Sequence, residues 1–130
     1  MDRMIKAKVN GAERYMGYSV GTMFQVSEKY GSVKDLLELI SQDSPNGLAA
    51  LQWIVKLMVN DAELDRRESG YAPLPLVEEV SACMHPLEYS ELKQAAVLAI
   101  NAGYIREVVD DSEVDLGLEE LQAKKEAAGA

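Results

Sequence analysis

The 130-residue sequence predicts a mainly α protein, in which an N-terminal β-hairpin packs on a bundle of about five helices. Three observations predict it: an Asn-Gly turn between short alternating runs, apolar residues at helical spacing, and a proline-rich break after a long apolar helix. We expect residues 1–110 to form a single hairpin-plus-helical-bundle domain and residues 111–130 to form an acidic, flexible C-terminal tail.

The hairpin is predicted from two runs that flank Asn10-Gly11. In residues 5–9, apolar side chains alternate with Lys6 and Lys8, so one face of the strand is apolar and the other is charged. Asn-Gly favours a tight hairpin turn because both residues tolerate a positive φ. The second strand is expected within residues 12–18.

Two short capped helices are predicted next. Ser19 is a suitable N-cap for the first, and Gly31 is a suitable residue to end it. Ser32 begins the second, with Asp35 three residues later in a pattern similar to a capping box. Apolar residues in positions 33–40 follow helical spacing and predict one buried stripe.

The third helix is predicted from about Asn46 to about Glu68, with Ser44-Pro45 as its N-cap and first residue. It is apolar around most of its circumference, which is typical of the central helix of a bundle. Its polar exceptions form a narrow stripe made of Gln52, Lys56, Asn60 and Glu63. We expect Trp53 to be buried, and one hairpin face to dock on Phe24 and on the helix that contains Trp53.

Prolines at positions 73 and 75 end this helix. A short fourth helix is predicted from about Pro75 to Met84. The fifth is predicted from about Leu87 to Asn101, and residues 104–109 could extend it by a turn or two.

The charge balance narrows the class of partner. With 22 acidic and 13 basic residues the net charge is −9, which repels nucleic-acid backbones and anionic lipid. It favours a basic or apolar protein partner, although solubility alone also explains it. No apolar run approaches the about 18 residues of a membrane span. The single cysteine excludes an internal disulfide and fits a reducing compartment.

No residue pattern predicts catalysis, a cofactor or a metal. Cys83 is the only cysteine and His85 the only histidine. They are too close in sequence for the usual zinc-ligand spacing, and the two further soft ligands that a zinc site needs are missing. On a helix, side chains two positions apart also point away from each other. We therefore expect a protein that is not an enzyme. An enzyme that uses Cys83 is a further alternative, and it would be excluded if Cys83→Ser left every assay unchanged.

The candidate protein-binding residues are soft, aromatic or charged side chains of the hairpin region and leucines of the tail. They are Lys6, Lys8, Tyr15, Met16, Tyr18, Leu116, Leu118 and Leu121. For each hairpin residue, packing in the core is the alternative. The free edge of the hairpin offers unpaired backbone groups, so self-association into a homo-oligomer is also expected.

The order of elements resembles that of the tail assembly chaperones of long-tailed bacteriophages and prophages. The resemblance covers about residues 4 to 110. It rests on the hairpin and then on four stretches: SVGTMFQVSEKYG, SVKDLLELI, LAALQWIVKLMVNDAEL and LEYSELKQAAVLAINAGY. The proline-containing segment from Tyr71 to Pro75 departs from the family pattern.

This resemblance implies a non-enzymatic protein of the bacterial host cytoplasm that coats the tape measure protein before the tail tube polymerises around it. In many phages a translational frameshift near the end of the gene adds a second domain. The alternative is a small acidic phage-encoded inhibitor or DNA mimic that binds a basic host protein. A mimic needs acids across its folded face, whereas seven acidic and two basic residues from Asp110 onward place −5 of the charge in the tail.

The two-part organisation predicts that the tail is dispensable for folding. A chain that ends at Asp111 should keep its cooperative thermal unfolding transition, because residues 112–130 contain few large apolar side chains. Circular dichroism during heating measures this. Loss of the transition on truncation would show that the tail contributes to the core.

Overall fold

The computed structural model describes residues 4–115, with side chains described through Tyr104. It contains a two-stranded antiparallel sheet followed by four helices. The elements are β1 (Ile5–Val9), β2 (Ala12–Met16), α1 (Val20–Tyr30), α2 (Val33–Ser41), α3 (Pro45–Glu68) and α4 (Pro86–Asp115). None of the helices within residues 4–115 has a stretch long and apolar enough to span a bilayer.

The hairpin forms at the predicted turn. Asn10 and Gly11 both have a positive φ, 54° and 84°. The register pairs Ile5 with Met16 and Val9 with Ala12. Side chains of paired residues lie on the same face of the sheet, so the apolar face continues from β1 into β2.

This hairpin packs on the two long helices, with β2 against α3 and β1 against α4. The backbone N–H of Gly17 donates to the carbonyl of Met58 at 3.0 Å, which fixes the end of β2 on α3. Docking on the α3 helix is therefore confirmed. Docking on Phe24 is wrong, because that side chain is 64% exposed.

The exposure of Phe24 follows from the rotation of α1. Thr22 and Val26 are the buried positions of this helix, and a residue two positions from Thr22 lies about 200° around the axis. The Thr22 hydroxyl donates to Asp61 of α3, and the Ser19 hydroxyl donates to the same carboxylate at 2.6 Å. These bonds fix which face of α1 points inward.

Serine caps begin three of the helices as predicted. The side chains of Ser19, Ser32 and Ser44 accept from the backbone N–H three residues later. Gly31 ends α1 with a φ of 94°.

Helix α3 is the centre of the core. Its buried apolar side chains are Ala50, Leu51, Ile54, Val55, Met58, Val59 and Ala62. Trp53 is half-buried, so the prediction that it is buried is only partly correct. Its ring packs edge-on against Tyr30 at 5.3 Å between centroids, and the Lys29 ammonium lies 5.5 Å from it.

The predicted short helix from Pro75 to Met84 is wrong. Residues 71–85, which we name the strap, are an irregular, largely extended segment within the described chain. Helix α4 then begins at Pro86 and continues beyond Asn101 to Asp115. The bundle in residues 4–115 therefore has four helices where about five were predicted. The proline at 75 and the side chains that hold the strap account for its extended form.

The turn between α2 and α3 depends on a glycine. A Cβ at Gly47 would overlap the carbonyl oxygen of Gln42 and lie 2.7 Å from that of Leu39. Both are backbone atoms, so they cannot move aside without disturbing the turn. The side chain of Ser44 also caps this residue, accepting from its N–H at 3.0 Å.

We expect Gly47→Ala to lower the free energy of unfolding by about 2 kcal/mol, the range of overpacked sites. Gly21→Ala is the matched control, since a Cβ there meets only the Ser19 hydroxyl at 3.7 Å. It should stabilise the protein by about 0.5–1 kcal/mol through helix propensity. Urea unfolding measures both, and equal effects of the two substitutions would contradict the close approach at Gly47.

Candidate functional site

Three of the candidate binding residues lie on the outward face of the hairpin. Lys6 and Lys8 are exposed, and Tyr15 is partly buried. The Lys6 ammonium lies 5.8 Å from the centroid of the Tyr15 ring and 3.7 Å from Glu13. Lys8 pairs with Glu88 of α4 at 3.3 Å. These side chains offer a mixed polar and aromatic surface.

Of the next two candidates, one is buried and the other half-buried. Met16 is 0% exposed, so it packs in the core and offers no surface to a partner. Tyr18 is half-buried, with its ring centroid 5.3 Å from that of Tyr104 and the hydroxyls 3.3 Å apart. Burial, and then the hydrogen bond with Tyr104, raise the pKa of Tyr18. The remaining candidates, Leu116, Leu118 and Leu121, lie outside the described residues.

The strap runs antiparallel to α3 and is held by the polar stripe of that helix. The Asn60 amide makes two bonds to Val77, donating to its carbonyl at 2.9 Å and accepting from its N–H at 2.8 Å. Gln52 donates to the carbonyl of Val80 at 2.7 Å. From Gln52 to Glu63 the helix rises about 17 Å, and the six residue-to-residue steps from Leu74 to Val80 span about 20 Å when extended. The two lengths therefore match.

The hairpin holds the strap from a second side. Asn10, in the turn, donates to the carbonyl of Glu79 at 2.9 Å and accepts from the N–H of Ser81 at 2.8 Å. Arg14, on the inner face of β2, donates to the carbonyl of Pro75 at 2.8 Å. Side-chain amides and a guanidinium thus replace the backbone partners that a neighbouring strand would supply.

A buried carboxylate anchors the start of the strap. Glu63 is 2% exposed and accepts from the N–H of Leu74 at 2.7 Å. Arg66 and Arg67 donate to its two oxygens at 2.6 and 2.9 Å, and Arg14 lies 4.0 Å away. Burial alone would raise the pKa of Glu63, but the bonds from Leu74 and the two arginines outweigh it and lower this pKa.

These contacts form a groove whose floor is α3 and whose wall is the hairpin. Its polar side chains contact main-chain groups of the strap, so they place few demands on the strap's sequence. The two strap side chains that enter the core are Val77, 8% exposed, and Val80, 3% exposed. Tyr71, Leu74 and Leu76 are exposed. The arrangement is suited to binding an extended chain.

Sequence reasoning identified the polar stripe but not what it binds. The signal that could have found the groove is the combination of a narrow polar stripe on an apolar helix with a following proline-containing segment. Such a segment cannot form regular hydrogen bonds by itself, because proline has no N–H. Three members of the stripe contact it: Gln52, Asn60 and Glu63.

A second feature is an apolar pair on the outer face of α1. Val20 is 52% exposed and Phe24, one turn later, is 64% exposed. Leu87 and Leu98 of α4 are also exposed. Val20 and Phe24 are neighbours on the helix surface, and contiguous exposed apolar side chains mark contact sites for other proteins, whereas single ones do not.

Cys83 and His85 lie at the end of the strap, just before α4. Cys83 is a free, exposed thiol at the end of the strap, and the N–H of His85 donates to Glu88 as α4 begins. In the part of the chain that the structure describes, no three His, Cys, Asp or Glu residues cluster as metal ligands would.

The Glu63 network predicts a pH-dependent stability. Glu63→Gln should lower the free energy of unfolding at pH 7 by about 3 kcal/mol, because it removes the buried charge that two arginines contact. The folded pKa lies below the ordinary value of 4.5, so the ionised carboxylate stabilises the fold above about pH 4.5. That contribution is lost as the pH falls through the folded pKa.

Urea unfolding of the natural protein and the variant should therefore differ strongly at pH 7 and much less near pH 3. Asp43→Asn is the control, since the Asp43 side chain that pairs with Lys93 is 80% exposed and its loss should change stability little. A gap between the two proteins that is the same at both pH values would contradict the role of the charged carboxylate.

Comparisons with family models, curated proteins and solved structures found no match to this chain.

Proposed function

We propose that this protein is a non-enzymatic tail assembly chaperone of a long-tailed bacteriophage or prophage, and that it binds the tape measure protein in the host cytoplasm. The order of hairpin, capped helices and long central helix supports this resemblance. The observation that carries the binding role is the exposed apolar pair on α1. An assembly chaperone must cover apolar surface of a client before the client reaches its place in the tail.

The chemistry of this pair fits such a client. Phe24 and Val20 lie one turn apart and together offer an apolar contact about one helical turn long. The whole chain carries a net charge of −9, of which −5 lies from Asp110 onward. An apolar contact on an acidic protein favours apolar and basic helical stretches over acidic ones. Several copies along one long client would place the same surface at intervals, and self-association of the chaperone would assist this.

The test is co-purification of the protein with segments of the tape measure protein encoded in the same genome. We expect binding by the natural chain and at least a tenfold weaker binding by the double variant Val20→Ser, Phe24→Ser, because exposed apolar anchors dominate such contacts. Gln25→Ser is the matched control, an exposed polar residue next to Phe24, and should leave binding unchanged.

Both variants change exposed side chains, so circular dichroism should show the natural fold. Failure of every tape measure segment to bind would overturn the proposal. Binding that is indifferent to Phe24 would overturn the role of the α1 surface. Selective binding of a basic host protein instead would favour an acidic inhibitor or DNA mimic.

A further inference from the structure

The strap has few side chains in the core for its length. Of residues 71–85, Val77 and Val80 are the buried ones. The segment has no ladder or helix of its own, and it depends on Asn10, Asn60 and Glu63 for partners to its main chain. A segment that buries little apolar surface and is held mainly by hydrogen bonds from side chains is expected to open locally, before the whole protein unfolds.

The groove binds the strap mainly through its backbone. Asn60 and Asn10 each use both ends of the amide, one donating to a strap carbonyl and the other accepting from a strap N–H. Any extended chain presents the same groups, apart from proline. A helix does not, because its own N–H and C=O groups are already paired along its interior. The contacts therefore select an extended conformation.

Sequence selection in the groove comes from two positions. Val77 and Val80 are three residues apart, and both belong to the hydrophobic core. The neighbouring Glu78 and Glu79 are exposed, as is Leu76. A chain that replaces the strap thus needs a small aliphatic side chain at each of two positions three residues apart, and it is little restricted elsewhere.

We propose that this groove is a binding site for an extended client segment with two small aliphatic residues three apart, and that the strap is its tethered, displaceable occupant. The identity of the client as tape measure protein rests on the proposed function, whereas the groove does not. A tethered segment competes at a local concentration in the millimolar range. It keeps the groove covered until a client arrives and reduces the affinity for weak, non-specific chains.

The probe is a fluorescent synthetic peptide with the sequence of residues 72–82, APLPLVEEVSA. We measure its binding by anisotropy to the natural full chain and to a loosened variant, Val77→Ser, Val80→Ser. The loosened variant should bind at least about tenfold more tightly, because a larger fraction of its grooves is open. Adding Asn60→Leu to the loosened variant should weaken binding at least about tenfold. The same peptide with both valines replaced by serine should not bind.

Equal binding to the natural and loosened chains, or no effect of Asn60→Leu, would overturn the proposal. Native-state hydrogen exchange on the unaltered protein gives a second measure in case the loosened variant does not fold. The amides of Leu74, Val77 and Ser81 should exchange at least about 100-fold faster than buried amides of α3. Exchange as slow as that of α3 would overturn the proposal, because the strap would then open only on global unfolding.

The two proposals fail in different ways. If the strap peptide binds but no tape measure segment does, the groove is a site for another extended chain and the proposed function is wrong. If a tape measure segment binds through Phe24 and the strap peptide does not compete with it, the groove proposal alone is wrong.

Discussion

Gln52, Asn60 and Glu63 of the polar stripe of α3 are partly or fully buried and need hydrogen-bond partners, which the strap's main chain supplies. An unpaired buried amide or carboxylate costs several kcal/mol in an apolar interior. Asn60 and Glu63 avoid that cost through Val77 and Leu74. The strap in turn has no sheet or helix to satisfy its own N–H and C=O groups. The polar side chains of α3 and the main chain of the strap therefore satisfy each other's hydrogen bonds.

The hairpin belongs to the same unit although it lies far away in sequence. Its turn residue Asn10 binds the strap 71 positions later at Ser81. Arg14, on the inner face of β2, contacts both the strap and the Glu63 carboxylate. A lone hairpin is marginal in water, and here it is stabilised by packing on α3 and α4 and by these polar bonds.

Local signals in the sequence are enough to predict the hairpin and the capped helices, because each depends on neighbours within a few positions. The Asn10-Gly11 turn and the caps at Ser19, Ser32 and Ser44 are of this kind. The extended conformation of residues 75–84 cannot be predicted from local signals, because the side chains of α3 and the hairpin that bind its main chain lie 17 to 71 positions away. The exposure of Phe24 is equally non-local, since it depends on how Asp61 of α3 orients α1. Helical spacing alone could not show which side of α1 faces the core.

The pairing between strap and stripe also limits what can replace the strap. When it leaves, Asn60 and Gln52 lose their partners and the carboxylate of Glu63 loses its bond from Leu74. Water can reach these groups once the strap has left, because Gln52 and Asn60 are partly exposed even beneath it. An extended chain can take the place of that water, because it brings N–H and C=O groups at the same spacing. The groups that lose their partners when the strap opens are thus the groups that bind another chain. An apolar ligand or a helix has no free N–H and C=O groups to pair with them.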